Sequence, residues 1–378
     1  MDVQASADEQ RRASNPLFNH RKLKLGTFCT NLSGGCTMSA AEGMLDCDWD
    51  STTELAQLAD SMEFEALVPV GRWKGFGGNT DFNGRGFECF TWAAGISALT
   101  SYSAVFATSH VPTVHPLMVA KQGTTIDHIS RGRFTLNVVT GWYAPEIEMF
   151  GAPLLDHDSR YDMAIEWLDI IKRLWTEDEE FDYVGRFYAL KRALARPKPV
   201  QRPHPVVMSA GASPRGREFA AKYADVGFTN LDAYDIDSLK ARVDAFRKFA
   251  WDEHHRRIQV WTNSYIFQGE TEKEARDYYN YCVFEKGDWP GAENLINLLG
   301  INSQSIPAPA LTKLKEHFMA GWGGYPLVGT KEQIVDGLIT LAEAGFDGTL
   351  LSWPRYVAGM REFKDVTYPL VQQAGLRG

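Results

Sequence analysis

Arg131–Tyr143, RGRFTLNVVTGWY, is the stretch whose reading decides the fold. Phe134 to Val139 is short, apolar and rich in β-branched residues, the composition of a strand covered on both faces in a parallel sheet. Toward its C-terminal end Asn137, Thr140, Gly141 and Trp142 break the apolar run. A buried amide or hydroxyl is unfavourable unless it finds a partner, so polar groups gathered at one strand end point to a ligand. Gly141 permits a turn or a close approach, and Trp142 offers a flat wall.

Working outward, the helix-like run His115–Ser130 precedes this strand, with Pro116 suited to its first turn. Upstream, strands are expected at Leu23–Cys29, Glu65–Val70 and Ser103–Thr108, with helices over Ser51–Met62 and Phe90–Leu99. Downstream, Ser159–Trp175 is an amphipathic helix and Phe181–Leu190 a small hairpin. Further strands fall at Pro205–Ala210, Val226–Thr229, Ile258–Ile266 and Gly348–Ser352. The helices Arg215–Tyr223 and Ser238–Ala250 lie among them. Capping boxes are expected at Ser51/Glu54, Thr271/Glu274 and Thr330/Gln333. Strands alternating with helices give an α/β chain, and eight βα units in this length fit a closed (β/α)8 TIM barrel with insertions. Residues 1–20 read as a flexible leader and 21–378 as a single domain. Glu285–Tyr325, aromatic and rich in glycine and proline, breaks the rhythm. It is expected to hold only a short helix near Asn294–Leu299 and to form a lid-like insertion or partner surface. Gln304–Ala310, QSIPAPA, lies inside it as a weak linker.

Composition narrows the function. The chain has 378 residues, 44% hydrophobic and 23% charged, with a formal net charge of -9. That charge, with no basic stripe, argues against nucleic acid. No run of about 18 apolar residues marks a membrane span. Cys29, Cys36, Cys47, Cys89 and Cys282 are odd in number and contain no C-x-x-C pair, favouring a reducing, cytoplasmic setting without disulfides. Neither these thiols nor His110, His115, His128 and His157 have metal-ligand spacing.

A barrel places function where strands end and helices begin. Asn31, Arg72, Thr108, Thr140, Ser213 and Asn230 all lie at such points. In PVVMSAGASPRG, Pro205–Gly216, a strand runs into a small-residue turn and then a helix. The amides of Gly211, Ala212 and Ser213 would face an anion there, although Ser213 read alone is an N-cap. Arg160 and Tyr161, in HDSRYD, open another helix and would add a charge and a hydroxyl. No G-x-G-x-x-G, P-loop, H-E-x-x-H or G-x-S-x-G occurs, so hydrolase and metalloenzyme readings start low.

Taken in order, RWKGFGGNTDF, FATSH, TIDHISRGRFTLNVVTGWYAPE, DHDSRYD, LARPKPVQRPHP and SAGASPRG resemble the bacterial luciferase-like flavin-dependent monooxygenases. The similarity spans Leu23 to Gln373 and is nearest to the pyrimidine and dimethylsulfone monooxygenases of that family. The resemblance implies a barrel holding reduced FMN at its mouth, supplied by a separate flavin reductase, with a homodimer or homotetramer expected. It places Gly71 and Arg72 beside the flavin ring and Asn137 and Glu146 against it. It puts Arg160, Tyr161 and Ser213 on the phosphate, and Thr108 with Asn137 around dioxygen. The chain departs from the pyrimidine enzymes at Ser109, His110 and Val111, in Thr30–Asp50 and in Glu285–Tyr325, the parts expected to shape the substrate pocket. Such chemistry needs a dry site. Of 11 tryptophans and 21 phenylalanines, Trp73, Phe76, Trp142, Trp322 and Trp353 stand in loops or at strand ends as candidate walls. The implied reaction is monooxygenation of a small organic molecule: an N-heterocycle, organosulfur compound or halogenated aromatic, with cleavage of a C–N, C–S or C–halogen bond. The alternatives are a deazaflavin-dependent oxidoreductase on the same barrel, or a flavin-binding protein without catalysis.

Overall fold

The computed structural model describes residues 15–211, 213–300 and 307–377. Eight strands run parallel: β1 (Lys24–Phe28), β2 (Ala66–Val68), β3 (Ala104–His110), β4 (Phe134–Val139), β7 (Val206–Ser209), β8 (Val226–Phe228), β9 (Gln259–Gln268) and β11 (Gly348–Ser352). They follow the order β9-β11-β1-β2-β3-β4-β7-β8, and β9 also pairs with β8, so the ring is closed. Helices alternate with the strands, and the fold is the expected (β/α)8 barrel. The hairpin is present as antiparallel β5 (Phe181–Val184) and β6 (Ala189–Ala193). No helix among the described residues is long and apolar enough to cross a membrane.

Two compact units divide the chain. One holds Glu88–Thr229 and Ala245–Val260 together with the segment that ends at Asn19. Of the expected leader, residues 1–14 lie outside the described residues. Its remainder is not loose: Pro16–Phe18 is a buried 3-10 turn capped by Asn15, and the Leu17 carbonyl accepts from Gln259 Nε2 at 2.7 Å. In this unit Phe134, Trp167 and Trp175 are fully buried. Each such ring contributes roughly 2–3 kcal/mol by leaving water, and Trp175 satisfies its indole N–H on the Ala120 carbonyl at 3.0 Å.

The other unit holds His20–Phe87, Asn230–Asp244 and the chain from Trp261 onward. Its buried Glu65 carboxylate accepts from Arg377 at 2.6 Å, Arg21 at 2.9 Å and the Leu25 amide at 2.8 Å. The capping boxes at Thr271/Glu274 and Thr330/Gln333 are formed. Ser51 is not a cap. Asp48 is, and its side chain accepts from the Ser51 amide, so the helix begins at Trp49. An aspartate three residues earlier caps the helix one turn sooner, with a full charge near the positive helix end.

The Glu285–Tyr325 stretch is more regular than expected. Helix Trp289–Leu298 is capped by Asp288, helix Ala308–Gly321 follows, and Tyr325 opens a parallel strand, β10 (Tyr325–Gly329), on β9. Both helices carry proline in the first turn, where its missing N–H costs nothing. Read along the sequence, those same prolines look like breakers. Residues 304–306 of the weak linker lie outside the described residues, and Ala308–Ala310 are helical.

Candidate active site

In the first unit the β3–β4 register sets Thr108 opposite Asn137. Asn137 Nδ2 donates to Thr108 Oγ1 at 3.0 Å, and the two residues are only 5% and 7% exposed. Asn137 Oδ1 is buried with no hydrogen-bond partner among the described residues. Leaving such an acceptor unmet costs about 1–3 kcal/mol, and the described residues supply no donor for it. His110 lies two residues beyond Thr108 on the same strand, hence on the same face. Its Nδ1 is 3.6 Å from Oε2 of Glu146, and both side chains are buried. Glu146 is placed by the helix Ala144–Met149, which starts right after the Thr140–Tyr143 turn. Gly141 makes that turn at φ +84°, a conformation that side chains disfavour.

The turn is tied to the next helix. Arg160, in helix His157–Thr176, donates through Nη1 to the Gly141 carbonyl, while its Nε is buried and unpartnered among the described residues. Tyr161 beside it is buried, and its hydroxyl rests on two glycines. A Cβ on Gly216 would stand 2.6 Å from that oxygen, and one on Gly211 would stand 2.6 Å from the Gly216 Cα. Only glycine fits at either place. Ser213 caps helix Pro214–Tyr223, accepting from the Gly216 amide at 3.0 Å, and its Oγ lies 3.1 Å from His157 Nε2. The starts of two helices therefore meet around His157, Arg160, Tyr161 and Ser213, where both dipoles favour an anion. Ala212 lies outside the described residues. His157 was missed as a site residue, because a histidine at a helix start gives no signal until the Ser213 turn is folded against it. Thr140 and Trp142 are half-buried, and the Trp142 ring lies 5.8 Å from Tyr143.

Gly71, Arg72, Trp73, Phe76, Trp322 and Trp353 belong to the second unit. Gly71 and Arg72 follow β2 and are buried. The Arg72 guanidinium stands 4.6 Å over the Phe76 ring, and Phe76 packs on Phe82 at 6.3 Å and on Trp322 at 5.6 Å. Phe76 and Trp322 thus form one aromatic cluster. Trp73 stands apart, 44% exposed. Trp353 instead packs on Tyr356 and Phe363, and it lines a separate cavity of about 420 Å³ with Tyr278 and Arg355. Asn31 holds the chain after β2, donating to the Val70 and Phe87 carbonyls at 3.0 and 3.2 Å. Asp288, unremarked in the sequence, is 1% exposed. It accepts from Asn79 N at 2.9 Å, Thr80 N at 2.7 Å, Thr80 Oγ1 at 2.6 Å and Gly291 N at 2.9 Å. Burial pushes its carboxyl up, but these bonds prevail and hold it below the ordinary aspartate range. The D-W-P sequence at 288–290 was the available signal: a cap followed by a first-turn proline. A cavity of about 310 Å³ lies between the Thr30–Asp50 loop and residues 80–85, lined by Ser33, Thr37, Leu45, Thr80, Phe82 and Arg85.

The unmet buried amide and the paired helix starts belong to the same unit of a parallel βα barrel. Residues 23–348 match the luciferase-like monooxygenase family, and the chain belongs to it. An FMNH2-dependent dimethylsulfone monooxygenase of Pseudomonas putida is 30% identical over 366 residues, covering 93% of this chain and 96% of that protein. The pyrimidine monooxygenase RutA of Acinetobacter baylyi is 28% identical over 357 residues, covering 92% and 95%. Among solved structures, a riboflavin lyase crystallised with modified FMN superimposes with a TM-score of 0.81 at 21% identity, covering 94% and 92%.

Proposed function

We propose that this protein is an FMNH2-dependent monooxygenase of a small organic molecule, drawing reduced FMN from a separate flavin reductase. The observation that carries the reading is Asn137: its amide nitrogen is fixed on Thr108 and its buried oxygen is unmet. A flavin ring edge supplies an N–H for such an acceptor. The Gly211–Gly216 contact leaves no room for a side chain beside Tyr161, and Arg160 and Ser213 fit a phosphate at the helix starts. Reduced FMN, when bound, supplies the two electrons with which dioxygen is divided between product and water. The chain's own part is to hold the phosphate through Arg160, Tyr161, Ser213 and His157, and to seat the ring on Asn137 and Glu146. Thr108 keeps a hydroxyl fixed beside that ring. Trp142, in the same unit, walls the substrate. The helices within residues 285–325 act as the lid of a single barrel domain, in a homodimeric or homotetrameric cytoplasmic enzyme.

Turnover of dimethylsulfone or uracil, the latter as a probe pyrimidine, is expected only when reduced FMN and air are supplied together. Turnover unchanged under strict anaerobiosis would sink the proposal. Sedimentation of the purified protein reads the oligomer, and a monomer would remove that part of it.

A further inference from the structure

We propose that His110 is a proton-relay residue of this site and that Glu146 is the positioning residue that keeps it so. The inference rests on the reading of Thr108 and Asn137 as the pair facing the reduced ring and dioxygen. On β3 the face that carries Thr108 carries His110 next, one step nearer the C-terminal end of the strand. Behind the imidazole stands a carboxylate, 3.6 Å from Nδ1, with 1% of its side chain exposed against 6% for the histidine. That separation is too long for a direct hydrogen bond but short for two buried ionisable groups. The backbone at His110 is fixed as well, because its carbonyl accepts from Thr113 Oγ1 at 2.9 Å. A carboxylate on one side of an imidazole orients the ring, and an imidazole can accept a proton at one nitrogen and release it at the other.

The reaction needs such a group. In monooxygenation one oxygen atom enters the substrate, and the other leaves as water with two hydrogens drawn from the reduced cofactor. Without substrate, reduced FMN and dioxygen give oxidised FMN and hydrogen peroxide, both hydrogens again coming from the cofactor. In each case two electrons leave the cofactor, and a proton must be delivered among side chains that are at most 7% exposed at Thr108, His110 and Asn137. His110 Nε2 is assigned that transfer: its N–H bond would break as the O–H bond forms, and the imidazole would be reprotonated by the proton that reduced FMN, when bound, gives up. The histidine returns to its starting state.

The test is substrate-independent. Wild type, His110→Gln and Glu146→Gln are loaded anaerobically with reduced FMN and mixed with aerated buffer in H2O and D2O, while FMN reoxidation and hydrogen peroxide are followed. His110→Gln, which keeps bulk and a hydrogen-bonding end but cannot carry a proton, is expected to bind reduced FMN within about twofold of wild type. Its reoxidation should slow at least about tenfold and lose the solvent isotope effect, with Glu146→Gln falling between. His110→Gly should be rescued by added imidazole, a readout that a packing role would not move. Unchanged rate and isotope effect in His110→Gln overturn the relay, as does failure of imidazole to rescue a folded, FMN-loaded His110→Gly protein. A wild type that does not bind reduced FMN at all overturns the proposed function and this inference with it, which separates the two failures.

Discussion

The two ends of β4 are built on opposite principles. At the Phe134 end the charged groups are met, and what is left over is hydroxyls, Thr135 Oγ1 and Ser97 Oγ, buried without a partner among the described residues. Arg133, 7% exposed, donates to the carbonyls of Ser130 at 2.8 Å, Thr100 at 2.8 Å, Ser97 at 3.3 Å and Ser103. Asp127 accepts from Val200 N at 2.7 Å, Gln201 N at 2.9 Å and Gln201 Nε2 at 2.7 Å. Burial still pushes its carboxyl above the ordinary range, which the N–H groups offset only in part. At the Val139 end, Asn137 Oδ1 and Arg160 Nε are buried and unmet among the described residues. Three strand residues separate Arg133, whose guanidinium is held by four carbonyls, from the unmet amide oxygen of Asn137. The difference teaches where to look: in a barrel the N-terminal end of a strand holds the fold, and the C-terminal end keeps groups in reserve for a ligand.

That contrast breaks most sharply at Arg133. Arg133→Met fills the space yet strands several carbonyls, and should lower stability by about 3–5 kcal/mol, read as a fall in the denaturant midpoint. If the variant is as stable as wild type, the satisfied end does not carry the fold. Thr108→Ala should do the reverse. Folding and FMN affinity should stay near wild type, while product per reduced FMN falls by roughly 100-fold, the scale of one lost active-site hydrogen-bonding group. Equal losses of affinity and turnover would dissolve the division of labour between the ring-facing pair and the phosphate end.

Much of this architecture was legible in the sequence, and the failures have physical causes. Phe134–Val139 and Gly348–Ser352 have their expected limits, because each is a short apolar run with glycine at or near its start. The Thr271 and Thr330 boxes could be read because a capping box is local. Asp48 was overlooked in favour of Ser51, since both precede the same apolar periodicity. Helix Ala308–Gly321 and β10 were hidden by proline and glycine that serve as helix starts and stops rather than breakers. The contacts that make the site were beyond the sequence for a different reason. The Thr108–Asn137 bond depends on a register between strands 29 positions apart, and the His157–Ser213 contact joins residues 56 positions apart. Residue types at strand ends announced that a ligand belongs there, and only the folded register says which atoms remain unmet.

The second unit sharpens the comparison, because Asp288 is a buried acid on loop elements that nevertheless is fully met. It should therefore behave like the Phe134 end of β4. Asp288→Asn removes a charged acceptor from three backbone amides and one hydroxyl and should cost about 2 kcal/mol. The sign of its pH dependence follows from the lowered carboxyl. The contribution is present above the unfolded value near ~3.9 and is lost as pH falls through the lower folded value. The stability difference between wild type and Asp288→Asn should accordingly shrink below about pH 4, and a gap that stays constant down to the acid limit would contradict the assignment.

The smallest expected effect tests the point at which the two principles overlap. Ser213 is met by its own helix, through the Gly216 amide, and yet it stands among the groups proposed for the phosphate. Ser213→Ala should lose the cap and one phosphate contact, each about 1 kcal/mol. The two losses are read in different experiments. The cap acts on the apoprotein and appears in unfolding without FMN, whereas the phosphate contact appears as an approximately fivefold weaker FMN affinity, the equivalent of ~1 kcal/mol. Riboflavin, which has the ring and no phosphate, is the control: its affinity should be the same for Ser213→Ala and wild type. An equal loss for riboflavin and FMN would mean that Ser213 acts only by holding helix Pro214–Tyr223 in place, and the anion at the paired helix starts would then have to be held by Arg160, Tyr161 and His157 alone.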